Sequence, residues 1–357
     1  MLILSKKRKT FELFAAHMDE RLLKDKVQHI DIKNFDTTPI IEQFEKTAFQ
    51  AKNLANAAKL YKKMLSDRDC SIILCLAGSL FSAGLKKIVY DLVDNNMVDV
   101  IVSSGAIIVD QDFFEALGFK HYQGTPLVDD EELFRNRIDR IYDTFIDEDE
   151  LRVCDMTIAE IADSLTPGAY SSREFIQAMG EYLEKEGKGE DSVVRLAYKK
   201  NLPIFVPAFS DCSAGFGLVY HQWHRKNKPM IHIDSAKDFL ELTKIKIKSK
   251  DTGLFMVSGG VPKNFAQDVT IAADIIGENT PMHKYAIQIT VADERDGGLS
   301  GSTLKEAHSW GKVADRNTQM VFSEATIALP LIASYAYHSG NWKKTREAKE
   351  FNLMLSD

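Results

Sequence analysis

The stretch SIILCLAGSLFSAGLKKIVYDLVDNNMVDVIVSSGA, residues 71–106, decides the fold. It opens on a continuous apolar run at 71–77, turns at a glycine and a serine into residues of helical period at 80–95, and returns to a second apolar run at 98–103. Strand, crossover helix, strand is a βαβ unit, and its two strands run parallel. Apolar runs this unbroken are expected where helices cover both faces of a sheet. The same alternation continues down the chain. Further strands are expected at 203–208, 230–234, 253–258 and 285–290, with helices at 39–65, 130–145, 172–184, 193–201, 236–247, 262–276 and 324–336. The fold class expected is therefore α/β, a Rossmann-like, doubly wound and mostly parallel sheet with helices on both faces.

Residues 1–66 lack that alternation and carry a long polar helix, so they read as an N-terminal helical extension packed on the core or on a neighbouring subunit. Residues 67–340 read as one large domain, and 341–357 as a C-terminal tail. The 357 residues carry 45 Lys and Arg against 52 Asp and Glu, a net charge of −7. With no basic stripe, nucleic acid is not an expected partner. No apolar run approaches the roughly 20 residues needed to span a bilayer. The apolar residues of the first fourteen precede the charges, the reverse of a secretory signal, so a cytoplasmic location without a membrane partner is expected. Cys70, Cys75, Cys154 and Cys212 show no paired metal-binding spacing. His221 and His224 lack a third ligand and read as positions of an amphipathic helix, so no metal site is expected.

Ligands of doubly wound sheets bind beyond the carboxyl ends of the strands. Gly78-Ser79-Leu80-Phe81-Ser82, Ser103-Ser104-Gly105-Ala106 and Ser258-Gly259-Gly260-Val261-Pro262 all follow expected strands. Their small residues and helix-start amides suit a phosphate-bearing ligand, although none is a GxGxxG fingerprint. The loop 290–301 concentrates Asp293, Glu294 and Asp296 around Arg295, which reads either as a cation-attracting cluster or as a solvated loop with Arg295 as its own partner. Glu306 and Trp310 share the face of an expected helix at 303–310, and Lys312 follows a helix-ending glycine. Carboxylate, indole and amine together suit a cationic amine substrate, and a lysine beside an aromatic wall can attack an imine.

GSTLKEAHSWGK, residues 301–312, resembles the active-lysine signature of the deoxyhypusine synthase family. The blocks at 95–104, 203–211, 258–263 and 325–331 follow in that family's order, so that the likeness spans about residues 30–340. The resemblance implies that family's fold and an NAD-dependent aminobutyl transfer. Spermidine or putrescine is oxidised to an imine, the four-carbon unit passes to the active lysine, and an amine acceptor then receives it. Lys312 matches the covalent lysine, Trp310 and Glu306 the amine pocket, and Gly297 the turn beside it. Asp110 matches one of an acidic pair implicated in proton transfer, with Val109 in its partner's place. Cofactor contacts carry over onto Gly78 to Ser82, Ser104, Gly105, Ala106, Asp211, Gly259, Val291, Ala292, Asp296, Ser300, Glu324 and Ala325. The family also implies a homotetramer, a dimer of dimers with NAD sites at a dimer interface.

Three amine-pocket positions depart from the eukaryotic pattern. Phe216 and Leu299 replace aspartates that hold ammonium groups, and Asn264 replaces a histidine. Each buried charged hydrogen bond contributes roughly 1.5–3 kcal/mol, so the amine ends must be held otherwise. The pattern resembles the bacterial branch of the family, some of whose members make homospermidine. A small polyamine acceptor is expected. The alternatives are modification of a lysine on a translation factor, and a noncatalytic NAD-binding relative.

Overall fold

In the computed structural model, which describes residues 22–356, strand β1 (Cys70–Leu76) is buried along its whole length and divides its side chains between two cores. Ile72, Leu74 and Leu76 join one hydrophobic cluster, Ile73 and Cys75 another. This is the period of two of a strand covered on both faces. β2 (Val100–Ser103), β3 (Ile204–Phe205), β4 (Asp251–Val257), β5 (Tyr285–Thr290) and β6 (Thr318–Phe322) complete a parallel sheet ordered β6-β5-β4-β1-β2-β3. Read from the other edge this is 3-2-1-4-5-6, the doubly wound order, whose switch point lies between β1 and β4. Those two strands pair from Cys70↔Asp251 to Leu76↔Val257, so their carboxyl ends are level.

The helices that matter below are α1 (Phe49–Ser66), α2 (Ser213–His224), α3 (Ser235–Lys248), α4 (Gly260–Ile275), α5 (Leu304–Ser309) and α6 (Ala325–Ser339). α1 and α6 bring Leu54, Tyr61, Ala328 and Ile332 to one face of the sheet. α3 and α4 bring Leu242, Ile245, Ala266 and Val269 to the other. The α/β class read from the sequence is the class observed, and five expected strands lie within three residues of observed ones at each end. Several expectations are overturned. The apolar run 230–234 lies outside the main sheet, as Ile231–Ile233 paired with Gly168–Tyr170. The helix expected at 130–145 ends at Arg135, and Ile138–Ile141 and Thr144–Asp147 form a hairpin in a small antiparallel sheet. Arg137 and Tyr142 turn the chain with φ of 55° and 54°, while Ile138 and Phe145 fill a satellite core with Leu23 and Leu133. Periodicity misleads there because three apolar positions serve a helix or a twisted hairpin equally well. The helix expected at 39–65 is broken between Thr38–Phe44 and α1, where Phe49 has φ 55°. The acidic residues 147–150 open a helix absent from those expected: Asp147 caps Glu148–Ser164, its Oδ1 accepting from the Glu150 N–H at 2.9 Å. β6 lies at an edge of the sheet, opens on the polar Thr318 and Gln319, and offers only Met320–Phe322 as an apolar run, too short to reveal it.

Residues 1–21 of the expected extension lie outside the described residues. From residue 22 to α1 the chain packs on the main core, and Tyr61 Oη donates to the Met97 carbonyl at 3.0 Å. The C-terminal segment is anchored by Arg346. It donates to the carbonyls of Asn96 at 2.9 Å and Cys70 at 3.0 Å, and pairs with Asp99 at 2.5 Å. Asp99 also accepts from the Ile72 N–H at 2.7 Å, so one buried ion pair ties β1, the approach to β2 and the chain end together. Arg346→Met strands the Asp99 charge, and we expect a loss of about 3–5 kcal/mol in urea unfolding; a loss within experimental error would contradict this anchor.

Candidate active site

The carboxyl ends of β1, β4, β5 and β6 surround a cavity of about 810 Å³ whose lining includes Gly78, Ser79, Ser82, Val291, Glu324 and Ala325. Gly78 has φ +92°, a left-handed conformation that a side chain would strain, and it turns the chain straight out of β1. The Phe81 and Ser82 amides do not face a ligand. Both donate to Gln111 Oε1, at 2.9 and 3.0 Å, which corrects the expectation of free amides at this helix start. Glu324 caps α6, accepting from the Thr326 N–H at 2.8 Å. The far wall is Gln123, Gly124, Tyr142 and Asp143 of the small antiparallel sheet. Sequence reasoning missed these four because it found no strands in their segment.

Beyond β2, the Ser104 N–H donates to the Leu76 carbonyl at 3.0 Å, and the hydroxyls of Ser103 and Ser104 are buried with no hydrogen-bond partner. Gly105 packs on Cys212: a Cβ there would stand 2.4 Å from its sulfur. Asp110 Oδ1 accepts from the Ser213 N–H at 2.8 Å, at the start of α2. Burial pushes its pKa up to about 7, with Asp155 and Asp211 adding repulsion. Val109 is wholly buried in the main core. Asp211 is exposed in the preceding loop, and Phe216 is exposed on α2. His221 of the same helix is buried, its Nδ1 donating to Asp163 at 2.7 Å, a structural role.

Lys312 lies toward the opposite end of the sheet, beside the residues that lead into β5. Thr303 caps α5, accepting from the Glu306 N–H at 3.0 Å. Gly311, φ +73°, ends the helix, with Gly311 N–H to the His308 carbonyl at 3.0 Å and Lys312 N–H to the Ala307 carbonyl at 3.1 Å. These paired bonds are a Schellman motif. The Lys312 carbonyl accepts from the His283 N–H at 3.0 Å. A buried chain holds His283 in turn: Lys246 Nζ donates to Thr252 Oγ1 at 2.8 Å, Thr252 to His283 Nδ1 at 2.8 Å, and His283 Nε2 to the Ala266 carbonyl at 3.1 Å. Burial drives the His283 pKa well down, which keeps it neutral, and brings Lys246 down to about 8. The Lys312 ammonium lies 5.2 Å from the Trp310 ring centre, 2.6 Å from Asp268 Oδ1 and 3.3 Å from Asn264 Oδ1. Lys312, Trp310 and Asp268 face a groove of about 540 Å³ walled by α3 and α4. Asp268 carried no signal in the sequence beyond lying one helical turn after Asn264.

The loop between β5 and α5 is pinned from beneath. Lys263, buried in α4, donates to the Leu299 carbonyl at 3.1 Å and to Ser302 Oγ at 2.9 Å, and Gln288 Nε2 donates to the Ser300 carbonyl at 3.0 Å. Burial lowers the Lys263 pKa to about 8, against the attraction of Glu306. Gly259 touches Ser300, where a Cβ would come within 2.4 Å of its Cα. The Thr290 hydroxyl accepts from the Ala292 N–H at 3.1 Å. Above that floor Asp296, Gly297 and Leu299 are exposed, and Arg295 pairs with Asp293 at 2.8 Å, the self-partnered loop.

The expected residues thus fall into three groups. One lines the cavity at the β1/β4 switch, a second gathers Asn264, Trp310 and Lys312, and a third places Gly105, Asp110 and Asp211 around the start of α2. Glu306 is exposed on the first turn of α5, and neither it, Phe216 nor Leu299 lines either depression. Asp110 has a pKa near 7 folded and about 3.9 unfolded. Between pH 4 and 7 the folded state retains a proton that the unfolded chain has lost, so this group's contribution to stability falls as pH rises through that window. Asp110→Asn is expected to be more stable than wild type at pH 8, on the order of 1–3 kcal/mol, with the gap closing by pH 4; denaturant titrations at both pH values check it, and an equal difference at the two would contradict it.

The model of the family described as deoxyhypusine synthase matches residues 39–336. The chain is 62% identical to the deoxyhypusine synthase-like protein of Chlorobaculum tepidum, over 93% of this chain and 95% of that one. It is 55% identical to the deoxyhypusine synthase-like protein of Coxiella burnetii, over 98% and 99%. A crystal structure from Entamoeba histolytica assigned to deoxyhypusine synthase covers 87% of this chain at TM-score 0.58 and 20% identity, a likeness of fold. A family model spanning most of the chain, with relatives this similar over nearly their full length, makes this protein a member of the deoxyhypusine synthase family.

Proposed function

We propose that this protein transfers an aminobutyl group from spermidine or putrescine to a small polyamine acceptor, giving a homospermidine-type product, through an imine on Lys312. Its family is one of NAD-dependent aminobutyltransferases. The observation that carries the reading is the setting of Lys312, an amine 13% exposed on a rigidly held turn, with an indole and a carboxylate at its nitrogen. An amine so placed meets a cationic substrate in a site already shaped for ammonium groups.

An NAD cofactor fits the cavity at the switch point. Its volume of about 810 Å³ falls in the range of ligand sites, and small residues at Gly78, Ser79 and Ser82 allow close approach at the end of β1. Gly78, Ser79, Ser82, Val291, Glu324 and Ala325 line the cavity and would hold it, while Ser104, Gly105, Ala106 and Asp211 beyond β2 and Gly259, Ala292, Asp296 and Ser300 of the neighbouring loops stand outside that lining. Bound there, it supplies hydride acceptance from the amine carbon and hydride return to the final imine. Trp310 orients the cationic amine in the groove, and Glu306, exposed on the first turn of α5, adds negative charge outside it. Lys312 attacks as the free amine, with the Lys263 ammonium as its like-charged neighbour. Asp110, with a pKa near 7, can take and return a proton at neutral pH.

The lysine groove and the larger cavity open separately in one chain. Val291, Ile327 and Trp310 stand 74, 62 and 63% exposed nearby. A homotetramer that covers these side chains with a second copy would exclude water and complete the site. Incubation with spermidine or putrescine and NAD, followed by borohydride, should leave a four-carbon adduct on Lys312, and Lys312→Arg should abolish both adduct and turnover. Wild-type protein without the adduct, beside a labelled relative, would refute the reading. Label from the donor should emerge in a free triamine; label entering a translation factor instead would assign the protein acceptor.

A further inference from the structure

We infer that Asp268 is the counterion of the Lys312 Schiff base, the carboxylate that keeps the covalent intermediate in its protonated, electrophilic form. The inference rests on the Lys312 imine proposed above. It begins from three contacts at one nitrogen. Asp268 Oδ1 lies 2.6 Å from Lys312 Nζ, Asn264 Oδ1 lies 3.3 Å from it, and Trp310 closes one side at 5.2 Å.

Asp268 and Asn264 are one turn apart on α4, and Asn264 Nδ2 donates to Asp268 Oδ2 at 2.8 Å. One carboxylate oxygen is thereby held by the amide, and the other faces the lysine. α4 is anchored by buried Ala266, Val269 and Ala273, and Gly260 to Ile275 form one unbroken helix, so the carboxylate is carried on a rigid element. Among the described residues, the charged groups facing Lys312 are Asp268 and Lys263, with Glu306 acting on Lys263. α3 contributes Ala236, Phe239, Leu240 and Thr243 to the groove, with no charge. Asp268 is therefore the anion available at the reacting nitrogen.

The chemistry requires one. The neutral lysine amine adds to the iminium carbon of the oxidised substrate. One of its two protons passes to the departing nitrogen, the old C–N bond breaks, and a neutral amine leaves, 1,3-diaminopropane from spermidine or ammonia from putrescine. Lys312 is left as an iminium, Nζ–H⁺=C, with no change of oxidation level in the exchange. Every later event at that carbon, attack by the acceptor amine included, is faster on the protonated form. A carboxylate at hydrogen-bond distance favours the charged form, and a nearby opposite charge commonly shifts such an equilibrium by about one to three pH units. This also answers where the pocket's negative charge resides when Phe216 and Leu299 replace aspartates: on α4, at the nitrogen itself.

Cyanoborohydride reduces protonated imines, whereas borohydride reduces both forms. The test uses the full chain with butanal, a four-carbon aldehyde that condenses with lysine amines with loss of water and without cofactor. Adducts on Lys312 are counted by peptide mass spectrometry from pH 6 to 10, in wild type, Asp268→Asn and Asp268→Glu. Asp268→Asn keeps an oxygen for Asn264 and removes the charge. The expected result is a borohydride yield that persists in Asp268→Asn, while the pH at which cyanoborohydride trapping falls to half drops by about one to three units. Asp268→Glu should restore most of the shift. Should Asp268→Asn fail to fold, Asp268→Ser is read against wild type on the same profile. Superimposable profiles would overturn the counterion role. A separate arm with spermidine and NAD tests the transferase reading; its failure, with the butanal shift intact, would remove the aminobutyl substrate and leave the Lys312–Asp268 coupling standing.

Discussion

A parallel strand buried on both faces has one place to put polar chemistry, its end. β1 sends Ile72, Leu74 and Leu76 to one core and Ile73 and Cys75 to the other, so neither face can hold a charge without heavy desolvation cost. The chain reverses its direction of travel between β1 and β4, and the crossover helices on the two sides part there. The cavity at that point is a consequence of the split. Burying the sheet and opening the site are the same geometric event.

Charge management in this region relies on buried lysines rather than on buried carboxylates. Lys263 donates to the oxygens beneath the loop 299–302, and Lys246 orients Thr252 and His283 beneath Lys312. Both carry pKa values lowered to about 8 by burial, so each ammonium exists at a cost that its fixed oxygen partners offset. The exposed upper surface of the loop, with Arg295 folded onto Asp293, takes no part in that scaffold.

The departures from the eukaryotic pocket make physical sense in this arrangement. Phe216 and Leu299 are exposed, so an aspartate at either position would hold ammonium groups only once something covered it. Asp268 lines the groove instead, on a helix packed into the sheet, and interacts with the lysine within one chain. A carboxylate in that position is shielded from bulk water on the α4 side and is screened less by salt than one on the exposed loop.

The amino-acid sequence by itself determined the layer architecture and singled out the segment proposed to carry the reactive lysine. Unbroken apolar runs leave few alternatives to a doubly covered sheet, and SWGK after a helix-capping threonine specifies the turn that holds Lys312. It could not place 230–234 outside the sheet, divide 130–145 into a helix and a hairpin, or reveal the edge strand β6, because each depends on which neighbour offers a partner. Only the tertiary structure decided that Gln111 occupies the Phe81 and Ser82 amides and that Asp268 meets Lys312. Gln111 and Phe81 are 30 positions apart and Lys312 and Asp268 are 44, and local spacing carries no information about a hydrogen bond formed only after two distant segments pack against each other.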